Sequence, residues 1–186
     1  MVEVVAYRPE WPGRFEELRT AYSRELDAAG VPHRVEHVGS TAVPGLAAKP
    51  VIDVDVVVPA EDVEAASTAL GRLGFEPRGE LGVPDRFAFV TPDRFAPTNT
   101  YVVVDGSLSL RNHLAVRDVL RADPALRREY DAVKRAAAAS AADIDDYIAR
   151  KSDVLSRILD RGGLSAAERA SIEGTTRGIT GRGSHG

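Results

Sequence analysis

The apolar positions of the chain change period along its length, and each change marks an element. Residues 2–6 are apolar enough for a short strand. From Trp11-Pro12 the period turns helical. Phe15, Leu18, Tyr22 and Leu26 recur at steps of three and four, one stripe on one helix, and Gly30 with Pro32 ends it. Residues 33–38 predict a strand that runs into a Gly39-Ser40 turn, and Pro44-Gly45 and Pro50 make 41–50 a loop. Residues 51–58 are a second strand, stopped by Pro59. Residues 61–73 predict an amphipathic helix on Val63, Leu70 and Leu73, closed by Gly74. Residues 75–78, 86–91 and 98–104 predict three more strands with Gly, Pro and Asp turns between them. Three successive helices follow at 110–121, 123–141 and 143–160, the second opened by Asp123 as cap and Pro124 as first helical residue. After Gly162, small and polar residues dominate, the composition of a flexible tail.

This order predicts an α+β fold. A small mixed sheet backed by helices occupies 1–122, a helical C-terminal part at 123–161 packs on it, and 162–186 is a flexible tail. Within that frame the strand at 51–58 stands out. It reads Val51-Ile52-Asp53-Val54-Asp55-Val56-Val57-Val58. Alternate residues of a strand share a face, so Asp53 and Asp55 point the same way with Cα atoms about 7 Å apart, while Ile52, Val54, Val56 and Val58 point the other way. Two carboxylates on an apolar strand repel one another and lose hydration. A divalent cation would offset both costs, and Mg²⁺ accepts one or two carboxylates together with water and phosphate oxygens. The alternative is a face simply open to water, which Val51 and Val57 on the same face argue against.

Gly39-Ser40 lies just upstream. A glycine turn lets backbone N–H groups approach a phosphate, and the serine hydroxyl adds a donor, although a Gly-Ser pair alone is also an ordinary turn. His37, two residues earlier, is placed either to orient the turn or to touch a ligand. Lys49 stands before the carboxylate strand, within reach of a phosphate or of the sheet edge. In the C-terminal helices Tyr130 with Lys134 and Tyr147 with Lys151 repeat one i, i+4 pattern, a ring beside an ammonium. Such faces could border a nucleotide or be solvated surface. His113 reads as a packing or capping residue.

Composition narrows the classes. A formal net charge of −4 argues against a nucleic-acid partner bound through bulk positive charge. With no cysteine there is neither a disulfide nor a thiolate zinc site. His33 and His37 on one strand are about 13 Å apart, too far to share an ion. No signal peptide is visible and no apolar run approaches the roughly 20 residues that span a bilayer, so the expected place is the cytoplasm and no membrane partner is expected. Walker A, dinucleotide-type glycine and Ser-His-Asp hydrolase patterns are absent.

The segment EHVGSTAVPGLAAKPVIDVDVVV, residues 36–58, closely resembles the signature of the GrpB (UPF0157) family. The resemblance extends upstream through YRPEWPGRFEELR and downstream through NHLAVRDVLRADPALRREYDAVKR and YIARKSDVL, to about residue 160. That family is similar by fold to the nucleotidyltransferase superfamily typified by DNA polymerase β, whose pattern is a Gly-Ser turn, Asp-x-Asp on the next strand and often a third carboxylate on a neighbouring one. The resemblance implies that Gly39 and Ser40 hold nucleotide phosphates and that Asp53 and Asp55 are catalytic residues that bind Mg²⁺ or Mn²⁺. Lys49, Lys134 and Lys151 would neutralise phosphate charge, and His37, Asn99, Tyr101, Tyr130 and Tyr147 are further candidate ligand contacts. The implied activity is transfer of a nucleoside monophosphate from an NTP, ATP above all, to a small-molecule acceptor, with adenylylation of a carboxylate as a variant. Where the family usually has His-Leu-His-Val or His-Leu-Tyr-Val, this chain has Asn99-Thr100-Tyr101-Val102, so no third charged ligand stands there. Glu80 and Asp105 are the substitutes nearby in sequence. The departure keeps a second reading open, a non-catalytic module for a nucleotide or CoA-type ligand, since GrpB-like domains also occur fused to dephospho-CoA kinase.

Overall fold

A computed structural model describes residues 4–140 and 144–180, with side chains over 4–136 and 151–176. Its centre is a five-stranded mixed sheet in the order β1-β2-β5-β4-β3. The strands are β1 (Arg34–Val38), β2 (Ile52–Val58), β3 (Glu76–Gly79), β4 (Arg86–Val90) and β5 (Thr98–Val104). β2 and β5 run parallel, and the other neighbours are antiparallel. The helices are α1 (Trp11–Ala28), α2 (Val63–Arg72), α3 (Leu108–Ala122), α4 (Pro124–Ser140), α5 (Ile144–Arg161) and α6 (Ala166–Thr180). The protein is α+β, as the element order predicts.

Strand alternation decides which side each helix covers. Ile52, Val54, Val56 and Val58 of β2 join the α1 stripe of Trp11, Phe15, Leu18, Tyr22 and Leu26 and the α2 residues Ala66, Ala69 and Leu70 in the main core. Leu18, Tyr22 and Leu26 are each at most 1% exposed, and full burial of such side chains stabilises by about 1.5–3 kcal/mol apiece. Tyr22 also closes a buried hydrogen bond with Thr100 Oγ1 of β5 at 2.8 Å. Burial pushes its phenol up to about 12. The opposite face carries Asp53 and Asp55, with α3 laid over part of it. Leu110 of α3 packs on Val57 and Val103, with Tyr101 and Leu114 beside them.

A further apolar cluster ties the C-terminal helices to the loop after β1. Val43 and Leu46 meet Leu120, Leu126, Tyr130, Val154 and Ile158. The Asp123 cap read in the sequence is made, and Ser107 caps α3, a cap the sequence reading did not include. Asp123 Oδ1 accepts from the N–H groups of Ala125 and Leu126, each at 3.0 Å, and Ser107 Oγ accepts from Leu110 N.

Differences from the sequence reading have local causes. Of the expected strand at 2–6, Val5 makes an isolated bridge with Ala48, and residues 1–3 lie outside the described part. Residues 60–62 form a 3-10 turn ahead of α2 rather than its first turn. The largest correction is α6, a helix where composition predicts a tail. A capping box starts it: Glu168 Oε2 accepts from Ser165 N at 2.8 Å, and Glu168 N donates to Ser165 Oγ. Arg111 of α3 bonds Glu168, so this start is anchored to the core.

Candidate functional site

The site begins at Gly39, where the chain leaves β1. Its φ of 72° with ψ of −172° is backbone that glycine alone adopts at low cost. Space demands glycine too, because a Cβ there would lie 2.3 Å from Asp53 Oδ2. The turn is therefore pressed against the carboxylate, as the pairing of Val38 with Asp53 across β1 and β2 requires. Asp53 is partly buried, and its Oδ1 accepts from Asn99 Nδ2 at 2.8 Å, from the register partner on β5. Burial raises the Asp53 carboxyl above the usual range and nearby Asp55 adds to this, against the Asn99 hydrogen bond and the His113 and Lys134 charges.

Asp55 is 0% exposed. His113 Nδ1 of α3 donates to its Oδ2 at 2.7 Å, while Oδ1 is buried without a hydrogen-bond partner among the described residues. Lys134 comes from α4. Its Nζ donates to Ser40 Oγ at 2.6 Å and to Ala47 O at 2.9 Å. The loop it grips is also held by α4 through Asp131, whose Oδ1 accepts from Ala47 N. Burial, then the charge of Lys151, brings the Lys134 ammonium down to about 8.

Ser40, Lys49, Asp53, Asn99 and Lys134 line one cleft of about 110 Å³. The structure thus brings together residues from four separate stretches of chain. Other candidates fall elsewhere. His37 is buried, stacked on Phe15 with ring centroids 4.7 Å apart, and its Nε2 bonds Thr41 Oγ1 at 3.0 Å. Burial, with the charges of Arg121 and Arg117, lowers it to about 4, so it sits as a neutral ring that holds the turn. Tyr130 is 6% exposed and belongs to the C-terminal apolar cluster, so its ring packs internally instead of offering a surface for a base. Lys134 Nζ and Lys151 Nζ lie 5.9 and 6.0 Å from that ring's centroid. Lys151 lines a different cleft, between α5 and α6, and burial lowers it to about 8. Tyr101 lies under the Arg86 guanidinium, 4.6 Å from the ring centroid. The Tyr147 side chain lies outside the described residues.

The proposed substitutes for a third acid do not join the pair. Asp105 is about 20 Å along the strand direction from Asp53, counting six residues of rise, and pairs with Arg34. Glu80 caps the Asp85 N–H at 2.7 Å. Glu36 stands opposite Asp55 across β1 and β2, but its carboxylate accepts from Arg117 Nη1 at 2.6 Å and is held there. Accordingly, among the described residues no group of three or more His, Asp or Glu side chains forms a ready metal cluster. The residues present still fit a cation bound partly by a substrate. Two carboxylates share one face, and one of their oxygens is buried and unsatisfied. His113, which the sequence offers as a packing or capping residue, instead contacts the carboxylate pair through Asp55. The available signal was its spacing of three from Leu110 and one from Leu114, which puts it on the face of α3 turned to the sheet. No helix among the described residues is long and apolar enough to cross a membrane.

Comparison with known proteins agrees with the sequence signature. The family model described as GrpB protein matches residues 1–161. A UPF0157 protein of Streptomyces coelicolor is 38% identical over 161 residues, covering 84% of this chain and 83% of the relative. The UPF0157 protein YqkA of Bacillus subtilis is 31% identical over 160 residues, 82% of this chain but 44% of that relative, so the chain spans less than half of its length. The crystal structure of the conserved protein GrpB from Enterococcus faecalis superposes with a TM-score of 0.70 at 32% identity, over 86% of this chain and 98% of the other. With its signature, its sheet and a match of this length, the chain belongs to the GrpB family.

Proposed function

We propose that the protein is a Mg²⁺-dependent, nucleotidyltransferase-like enzyme of the cytoplasm that moves a nucleoside monophosphate from an NTP, ATP first, to a small-molecule acceptor. The observation that carries this reading is the meeting of Asp53 with Ser40, Lys49 and Lys134 around one cleft, with the Gly39 turn pressed against the Asp53 carboxylate. One wall is acidic and suits a cation, and the other is basic and suits phosphate oxygens. At about 110 Å³ the cleft suits phosphate groups and not a whole nucleotide, since small-molecule pockets run about 300–1,000 Å³.

Asp53 and the unsatisfied oxygen of Asp55 would hold the cation. A divalent ion there supplies neutralisation of the triphosphate and polarisation of its phosphoryl oxygens. Ser40 Oγ and the Gly39 backbone would position the β- and γ-phosphates, and Lys134 and Lys49 would bind their charge. His113 holds the Asp55 carboxylate in place. In the reaction an acceptor oxygen forms a bond to the α-phosphorus, and the bond between that phosphorus and the bridging oxygen breaks. The electron pair leaves with pyrophosphate, and the proton of a hydroxyl acceptor passes to water.

Pyrophosphate release from ATP and Mg²⁺ with a pool of small acceptors is the test. Turnover that disappears in the double variant Asp53→Asn, Asp55→Asn supports the reading, and full turnover in that variant overturns it. One observation favours a second reading. β5 presents Asn99 and Tyr101 opposite Asp53 and Asp55, with no third acid. A non-catalytic module for a nucleotide or CoA-type ligand would show metal-independent binding and no pyrophosphate release.

A further inference from the structure

A larger cavity, of about 390 Å³, lies between β4, the start of α3 and α6. Its size is that of a small-molecule site. Three buried side-chain polar atoms lack a hydrogen-bond partner among the described residues: Asp55 Oδ1, Arg86 Nε and Ser109 Oγ. Arg86 and Ser109 line this cavity, and Asp55 is bonded to a third lining residue, His113. Buried polar groups are nearly always satisfied, so the two unsatisfied donors in this wall, Arg86 Nε and Ser109 Oγ, mark positions that an acceptor on a ligand completes.

The chemistry of the wall selects the ligand. The Arg86 guanidinium rests on the Tyr101 ring and not on a carboxylate, which leaves its charge available to the cavity. A planar guanidinium matches a carboxylate in shape and charge. Ser109 is 7% exposed and sits in the first turn of α3, where the helix dipole also favours negative charge. Asp85 is the one acidic residue in the lining, and it is exposed, so water screens it.

We propose that this cavity binds a small organic carboxylate, with Arg86 facing the carboxylate, Ser109 and Asn112 reading its other polar groups, and His113 forming the wall between it and Asp55. Binding stands on the cavity alone, whereas the next step rests on the nucleotidyltransferase reading. There the bound acid is the acceptor: a carboxylate oxygen bonds to the α-phosphorus, the bond to the bridging oxygen breaks, and pyrophosphate leaves with the electron pair. The product is an acyl nucleotide, and no proton is released. A carboxylate is already ionised at neutral pH, so this acceptor needs no general base, consistent with the missing third acid.

The test is saturation-transfer NMR on the full chain with benzoate, the hydroxybenzoates and hexanoate at millimolar concentration, each beside its primary amide. At least one acid binds and its amide does not. Arg86→Gln weakens that acid about ten- to a hundredfold, the range for loss of a charged hydrogen bond, while Arg24→Gln, far from the cavity lining, leaves its affinity unchanged. Thr175→Trp fills the cavity from α6 and abolishes binding, and it decides the question if Arg86→Gln fails to fold. The proposal is overturned if no acid binds, if amides bind as tightly as acids, or if affinity survives the cavity variants. Mg²⁺-ATP binding is read on the same samples. Acid binding without ATP binding upholds the cavity and sinks the nucleotidyltransferase reading, and ATP binding without acid binding does the reverse.

Discussion

Gly39 and Asp53 touch in a way that leaves room for no side chain on the turn. A Cβ at Gly39 would meet Oδ2 of Asp53 at 2.3 Å and its Cγ at 3.0 Å. Gly39→Ala therefore faces two costs, a backbone conformation worth about 1–3 kcal/mol against any other residue and displacement of the carboxylate. Urea unfolding should show the lowered midpoint, and Mg²⁺-ATP affinity should fall with it. A variant as stable as wild type would mean that the turn is not held against Asp53.

His113 holds a carboxylate that has no exposure to water. His113→Ala leaves the Asp55 charge without its donor, a loss of about 3 kcal/mol by the usual cost of an unpaired buried charge. Asp55→Asn in the same background should recover part of that loss, because the amide removes the charge. Chemical denaturation of the two single variants and the double variant measures the coupling, and additive losses would contradict the pairing.

The two relationships differ in how far they can be read from the sequence. Asp53 and Asp55 are legible because a strand has period two, and the apolar residues between them show which face is buried. The α1 stripe and the Asp123-Pro124 helix start are legible for the same local reasons. Lys134 is legible as a lysine on a helix, but not as the partner of Ser40, which lies 94 positions away. That contact depends on how α4 packs on the loop at Val43 and Leu46. Tyr130 shows the converse: its i, i+4 spacing to Lys134 is real, yet packing of the same helix face buries the ring. The role of Glu36 depends on Arg117, 81 positions on. Helix α6 escapes notice because its small residues give a weak apolar stripe, although Ser165 and Glu168 carry the capping signature.

In the proposed site, Lys134 would make phosphate binding depend on pH. Its ammonium, lowered to about 8, is charged below that pH and neutral above it, and a phosphate favours the charged form. ATP affinity should fall as pH rises through about 8, by about tenfold for loss of one charged contact. In Lys134→Met the affinity is lower throughout and the fall through about pH 8 is lost, since Lys151 lines a different cleft. Calorimetric titration between neutral pH and pH 9 checks this, and identical profiles would remove Lys134 from the site.

His37 makes folding depend on pH in a lower window. The folded ring titrates at about 4, whereas an unfolded histidine titrates near 6.5. Between those values the unfolded chain binds the proton and the folded chain does not, so stability falls as pH drops through the window. The full difference is about 3 kcal/mol. His37→Phe removes this slope, and the pH-dependent gap between its urea midpoints and those of wild type isolates the histidine from the carboxylates.

The most direct measurement is a crystal structure with Mg²⁺ and a non-hydrolysable ATP analogue. The account predicts phosphate oxygens at Ser40 and Lys134 and a cation on Asp53 and Asp55, with Oδ1 of Asp55 among its ligands. Nucleotide bound away from this cleft, or a cation that ignores both aspartates at full occupancy, would contradict it.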